Sequence, residues 1–423
     1  MSDSREDSGR PGAAGGPGAA REPGKTAGPE DAAGPEVAWS EVTARRLARH
    51  RLYTPAPVSE AAVSERVADV VAAMCGAHAQ IMSAAEVSVA LRVDGVDRRR
   101  VREALWTDRS LVKVYGPRGT VHLVPARDLP MWSGALTAAS AATRRSGRER
   151  LLTDDQVEAL AAALPRVLAD AELTTDELTD VLATEAGPWA ADPVMEAFGT
   201  RWPRWRWAQH LLGHRGALCF GPDRGRRVTY TSPARWLPGF VPMDPEPAAR
   251  RLALRYLHSY GPATAGEFAH WLAAPARWGE EVFRTLGGAV EPVHVLGSGL
   301  AWQVAGDPVH TEPPRGLRLL PYFDVFGVGS HPRSRLFAGR AAERALHRGQ
   351  AGNYPLLLVD GQVGGVWHQV RSGRRLRITV EPLTPLRAGL AAELAAQADR
   401  LAEIQEMREA ELTVGPVSVG PHA

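Results

Sequence analysis

Thr174-Thr175-Asp176-Glu177-Leu178-Thr179-Asp180-Val181-Leu182 has the form hydroxyl residue, two residues, Glu, apolar residue, three residues, Leu. The Thr and the Glu three positions on make a capping box, and the apolar pair at i, i+4 gives the helix that follows a face to bury. The same form occurs at Ser83 and Glu86 with Val87 and Leu91, and at Thr264 and Glu267 with Phe268 and Leu272. The copies are about 90 residues apart, which predicts an internal repeat. Upstream of each is an amphipathic helix, carrying Val63, Val67, Val70 and Met74, then Val157, Leu160 and Leu164, then Leu252, Tyr256 and Leu257. Downstream come another helix and two short strands. The strand pairs are 111–115 with 121–124 around Gly116-Pro117-Arg118-Gly119, 217–220 with 228–231, and 292–296 with 300–304 around Gly297-Ser298-Gly299. Helix, capped helix, helix and hairpin is the order of a winged helix. The alternative is an unrelated helical array.

Working outward, residues 1–36 hold Gly, Ala, Pro and charge with no large hydrophobe after Met1, and are expected to form a disordered tail. Beyond Arg315 the texture turns to β: 317–320, 356–359, 363–367 and 376–380 are strand-like, with Asp360-Gly361 and Arg371-Ser372-Gly373-Arg374 as tight turns. A helix with Leu386, Leu390, Leu394, Leu401 and Ile404 on one face follows. The expected fold is α+β: winged helices over 37–145, 146–243 and 244–314, then a small antiparallel β-barrel and C-terminal helix over 315–423.

The 423 residues allow two to four domains, and 44% apolar with 23% charged residues excludes a wholly disordered or fibrous chain. No stretch approaches the roughly 18 apolar residues of a membrane span, and no secretory leader opens the chain, so a soluble cytoplasmic protein is expected. Cys75 and Cys219 have no Cys or His neighbours at metal-ligand spacing, which argues against a disulfide scaffold or zinc site.

Net charge is +2, yet both ends are acidic: 1–36 and 387–423 each carry −3, leaving about +8 in the middle. The cations are almost all Arg, since Lys25 and Lys113 are the only lysines. Arginine suits phosphate recognition, while an Ala-, Arg-, Gly- and Pro-rich composition also fits a GC-rich genome. No P-loop, His-Glu-x-x-His, Gly-x-Ser-x-Gly or CxxC motif occurs. Arg201, Trp202, Arg204, Trp205, Arg206 and Trp207 crowd the expected recognition helix of the second unit, with Arg224, Arg226 and Arg227 on its wing. Arg beside aromatics fits phosphate contact with stacking or wedging, and equally a Trp core with solvated Arg flanks.

Four stretches resemble the AlkZ/YcaQ-type winged-helix DNA glycosylases, in that family's order. They are Gly76-Ala77-His78-Ala79-Gln80, Arg118-Gly119-Thr120-Val121-His122-Leu123, Tyr260-Gly261-Pro262-Ala263-Thr264, and Leu320-Pro321-Tyr322-Phe323-Asp324 with Gly352-Asn353-Tyr354-Pro355. The resemblance implies three tandem winged helices and a C-terminal barrel around a DNA channel. It also implies an enzyme that removes N7-alkylated purines, in some members as self-resistance to DNA-alkylating antibiotics or by unhooking interstrand crosslinks. That family's catalytic element is Gln-x-Gln or Gln-x-Asp. Here the matching positions read His78 and Gln80, so His stands where the family has its first Gln.

In an extended segment i and i+2 share a face, so both side chains can address one water. N7-alkylation makes the purine a cationic leaving group, and positioning water and stabilising an oxocarbenium-like sugar can suffice. Gln80 can hold the water; a neutral His78 could orient it or accept its proton, whereas a protonated one would repel the transition state. Activity is therefore expected to fall as pH drops through the His78 pKa. Alternatively His78 caps a helix or fills a core gap. Arg118, Thr120 and His122 are expected to line the DNA channel, with Arg118 on phosphate, although His122 equally fits a structural role. Asp324 is a candidate for the lesion pocket or for loop capping.

The expected activity is monofunctional hydrolysis, with no metal or organic cofactor. No lysine lies near the motif to form a Schiff base. The expected partner is double-stranded DNA containing alkylated guanine, with no membrane and no obligate protein partner, at the nucleoid. The alternatives are a non-catalytic winged-helix DNA-binding protein or transcriptional regulator, and a sensor of the toxic small molecule itself.

Overall fold

Each repeated pattern folds into three helices and a hairpin. A computed structural model describes residues 34–59, 62–143, 151–197, 199–308 and 312–422. In the first repeat the helices Val63–Ala73, Met82–Ala90 and Arg98–Trp106 precede the hairpin Leu111–Tyr115 and Val121–Pro125. The short strand Ala77–His78 adds to the Val121–Pro125 edge, pairing Ala77 with Leu123 and His78 with His122. The second repeat has helices Asp154–Val167, Thr175–Glu185 and Gln209–His214, and the hairpin Cys219–Arg224 with Arg227–Thr231, to which Leu173–Thr174 pairs. The third has helices Pro245–Tyr260, Ala265–Leu272 and Ala276–Arg284 and the hairpin Val290–Val295 with Gly299–Val304. The helix Leu129–Thr143 joins the first repeat to the second and packs along Pro245–Tyr260. Gly134 permits that approach, since a Cβ there would lie 2.2 Å from the Met243 carbonyl oxygen.

Two of the three expected capping boxes form. Thr174 and Glu177, and Thr264 and Glu267, bond each other's backbone N–H groups reciprocally. The Ser83 and Glu86 box does not. That helix starts at Met82 without a side-chain cap, and Glu86, 2% exposed, instead binds Arg98 at 2.5 Å and Arg102 at 2.7 Å. A buried carboxylate needs fixed cationic partners, and these hold it on the helix face away from the N-terminus.

Residues 1–33 of the expected tail lie outside the described residues. Glu36, placed in that tail by composition, belongs to the strand Glu36–Val37, which runs parallel to Val290–Val295 because Val37 buries against Val293 and Val295. The next helix, Trp39–Arg49, also packs with the third repeat rather than with the first: Arg45 Nη1 donates to Gln303 Oε1 at 2.6 Å and Arg46 Nη2 to the Pro262 carbonyl at 3.0 Å.

The second repeat also carries an extra hairpin, Pro193–Ala197 with Thr200–Pro203. Arg201 and Trp202 therefore lie on a strand, not at a recognition helix, and Arg204, Trp205, Arg206 and Trp207 form a 3₁₀ turn ahead of Gln209–His214.

After the repeats, Leu317–Leu320, Leu356–Val359, Gln362–Ser372 and Arg375–Pro382 make an antiparallel sheet in sequence order. Glu409–Val414 adds a fifth strand parallel to Arg375–Pro382, and the helix Leu390–Ile404 provides the crossover that a parallel pair needs. Among the described residues the two edge strands do not pair, so the sheet is open where a closed barrel was expected. The sheet shares one core with the first repeat: Val67, Met74, Val89 and Leu105 pack into the same cluster as Leu319, Trp367, Ile378 and Leu394. This common core sets the Pro321, Tyr322, Phe323 and Asp324 loop beside His78.

Candidate active site and nucleic-acid interface

Two consecutive positive-φ residues, Cys75 at 56° and Gly76 at 88°, turn the chain out of Val63–Ala73 into the strand Ala77–His78. Ala77 and Ala79 then point into the core, and Ala79 N–H bonds the Val121 carbonyl at 2.7 Å. Alternation puts His78 and Gln80 on the opposite face. Their environments differ: His78 is 7% exposed, while Gln80 is open to solvent. The Gln80 carbonyl oxygen accepts from Val121 N–H at 3.4 Å, a loose contact.

Two rings enclose His78. Phe323 stacks on it with centroids 5.0 Å apart and planes 16° apart, and His122 meets it edge-on at 5.0 Å. His78 Nδ1 is enclosed without a hydrogen-bond partner. Burial, then the Arg118 charge, pushes the His78 pKa down to about 4, so the ring is neutral at physiological pH.

His122 is 3% exposed and lies in the sheet directly opposite His78, which fits the structural role that the sequence also allowed. Its Nδ1 donates to the Thr120 carbonyl at 3.1 Å, which fixes the tautomer because a carbonyl only accepts. Burial first, and His78 next, hold its pKa well below the ordinary value.

Arg118 is exposed on the tight turn Pro117–Gly119, at φ 61°. Its charge lowers the pKa of His78, His122, His331 and Arg333, so Arg118 and Arg333 are the charged members of a group whose three imidazoles are held neutral. Thr120 Oγ1 donates to the Pro117 carbonyl at 2.9 Å and closes the turn.

Asp324 is engaged within the protein. It is 3% exposed; Arg92 holds both carboxylate oxygens at 2.8 and 2.9 Å, Ser88 donates at 2.6 Å, and Phe326 N–H at 3.0 Å makes Asp324 a helix N-cap. With its oxygens so engaged it clamps the sheet loop to the first repeat. The bond to Phe326 N–H fits the loop-capping reading of the sequence.

The expected phosphate ligands of the second repeat divide. Arg204 bonds the Leu151 carbonyl at 3.0 Å and Asp192 at 2.9 Å. Arg206 lies 3.5 Å over the Trp202 ring and bonds Gln209 at 3.2 Å. On the hairpin of the second repeat, Arg224 pairs with Glu177 at 2.9 Å and Arg227 approaches Asp176 at 4.0 Å, while Arg226 is exposed. Acids of the second capped helix thus offset part of that hairpin's charge.

No group of three or more His, Cys, Asp or Glu among the described residues is placed to hold a metal ion, and no described helix is long and apolar enough to cross a membrane. Nothing in the sequence marks Phe323 for a role, because an apolar residue beside Asp324 carries no chemical signal of its own.

The model of the family described as DNA glycosylase AlkZ-like matches residues 71–404, which take in the whole site from His78 to the Asp324 loop. The chain belongs to the AlkZ-like DNA glycosylase family. A Streptomyces sahachiroi protein described as an interstrand DNA cross-link repair glycosylase is 32% identical over 354 residues, covering 79% of this chain and 88% of that one. The solved structure of Streptomyces sahachiroi DNA glycosylase AlkZ superposes with a TM-score of 0.72 at 26% identity, over 90% of this chain and 100% of that chain. The AlkZ-like assignment makes DNA the substrate class and gives the mixed helix and sheet architecture a solved counterpart.

Proposed function

We propose that this AlkZ-like protein is a monofunctional glycosylase that hydrolyses the N-glycosidic bond of N7-alkylguanine in double-stranded DNA, bulky antibiotic adducts included. Such an activity serves self-resistance or alkylation repair on cytoplasmic DNA. The cross-link repair description of the Streptomyces sahachiroi relative supports a large lesion. The three helix-and-hairpin units are then winged helices, with Arg118, Arg206 and Arg226 on phosphates and Arg224 and Arg227 exchanging Glu177 and Asp176 for them.

One observation carries the reading: His78 and Gln80 share a face, the first enclosed and neutral, the second open. The adduct's positive charge has already weakened the bond, so the site needs a placed water and no strong base. Gln80 swings its carbonyl from Val121 N–H to hold that water. The neutral His78 orients it and sets no positive charge against the oxocarbenium-like sugar as that forms; it takes the water's proton only as the new C–O bond closes and the sugar's charge is quenched, while the base leaves as neutral N7-alkylguanine. Lys113 is 7% exposed and lies 5.0 Å over the Phe220 ring, which fits hydrolysis without a lysine Schiff base.

The test is incubation with duplex DNA carrying an N7-alkylguanine, followed by hot alkali to cleave abasic sites. His78→Ala and Gln80→Ala should slow cleavage by about 100-fold or more while DNA affinity stays within about threefold. Wild-type protein that leaves the adduct intact would favour a non-catalytic DNA-binding role.

A further inference from the structure

Phe323 has φ 54°, in the left-handed region that a bulky residue adopts only when its surroundings hold it there. Three restraints do so. Its N–H bonds the Gly352 carbonyl at 3.0 Å. Asp324, the next residue, is locked to Arg92 and Ser88 of the first repeat. The ring packs against Gly352, where an added Cβ would lie 2.6 Å from Phe323 Cδ1 and 3.1 Å from Val328 Cγ2. On another side the His422 ring meets Phe323 edge-on at 5.8 Å, and the terminal segment is tied down by His422 N–H to the Asn353 carbonyl at 2.9 Å.

The product of these restraints is a half-buried aromatic ring laid flat on His78, from a loop far from it in the chain. The offset stack excludes water from one face of the imidazole and limits its rotation about χ2, which no hydrogen bond to Nδ1 does. We propose that Phe323 is the positioning residue for His78, holding the imidazole in the plane that addresses the attacking water. This rests on the reading of His78 under Proposed function. The groups facing His78 are Arg118 on the wing turn and His122 on the neighbouring strand, and both remain when Phe323 is changed.

The test measures single-turnover release of base from an N7-methylguanine duplex, with DNA affinity in parallel. Phe323→Leu keeps apolar volume and loses the stack. Its kcat should fall about tenfold with Kd within about twofold, the signature of lost geometry rather than lost binding. Water admitted to the imidazole should also raise the His78 pKa toward the ordinary value near 6.5, so the rate at about pH 5 drops below about half that at about pH 7.5. Phe323→Tyr keeps the ring and should restore both readouts. Should Phe323→Leu fail to fold, Gly352→Ala, which displaces the ring from its other side, should show the same paired change.

An active wild type with His78→Ala dead and Phe323→Leu unchanged in rate and pH ratio would overturn the positioning role alone. A Kd raised as much as kcat is lowered would overturn it too, making Phe323 a DNA contact. Wild type without excision activity would remove the reading of His78 on which the inference stands.

Discussion

Acidification from about pH 7.5 to about pH 5 should leave the rate of base excision nearly unchanged. If protonation of His78 stops the reaction, activity is present above its pKa in the folded protein and lost as pH falls through it. With that pKa near 4, His78 is still about nine-tenths neutral at about pH 5. A solvent-exposed histidine titrating near 6.5 would be only about 3% neutral there, so the two cases differ about thirtyfold in rate. The expectation drawn from residue type alone, a fall near the ordinary histidine pKa, is therefore moved down by the enclosure under Phe323 and beside Arg118. The measurement is single-turnover excision at saturating protein, which separates the chemical step from DNA binding and product release. His78→Gln, which restores the family's amide, is the control and should lose the acid limb altogether. A wild-type rate that falls tenfold or more by about pH 5, with DNA still bound, would refute the enclosed-imidazole argument. An acid limb that persists in His78→Gln would assign the titration to another group.

Asp324→Ala should destabilise the fold by about 3–5 kcal/mol, because it leaves Arg92 fully buried and unpaired; urea denaturation measures this, and a loss under about 1 kcal/mol would contradict the clamp. The second expectation concerns His50, whose ring is buried between Tyr260 and Phe326 and whose pKa burial pushes down to about 3. The unfolded chain binds the proton first, so stability is full above about pH 6.5 and is lost as pH falls toward 3, by about 1.4 kcal/mol between pH 7.5 and 5.5. His50→Phe should remove that much of the pH dependence, read as the difference in urea unfolding free energy at the two pH values.

Local chemistry was readable where it decided structure. The Thr174 and Thr264 boxes formed because each Glu keeps a carboxylate oxygen for its cap, Glu177 giving only its other oxygen to Arg224, and the strands Leu317–Leu320 and Leu356–Val359 fall where their apolar runs predict. The Ser83 box failed for a tertiary reason, since Arg98 and Arg102 claim Glu86 from the next helix. The extra hairpin in the second repeat had a signal that was passed over. Pro203 pushes Trp202 toward extended backbone, which a helix start at Arg201 cannot accommodate. Glu409–Val414 alternates polar and apolar residues but is an edge strand rich in Glu, and its parallel pairing depends on a helix that returns it to the sheet.

The site divides in the same way. Spacing alone put His78 and Gln80 on one face, because alternation is a property of the strand itself. The state of His78 was not readable, because it is set by a ring from the distant sheet and by the His122 opposite it. The choice between the two readings of Asp324 has the same origin: its partner Arg92 lies on the first repeat, far off in the sequence, and pairing converts the charge into a fastening. Placed one residue before that fastening, Phe323 gains a fixed backbone at a strained φ, and a fixed backbone is what lets an apolar ring act on a neighbouring imidazole. Asp324 and His78 are thus joined through the aromatic residue between them, so a variant that frees Asp324 from Arg92 without unfolding the loop should disturb His78 by way of Phe323.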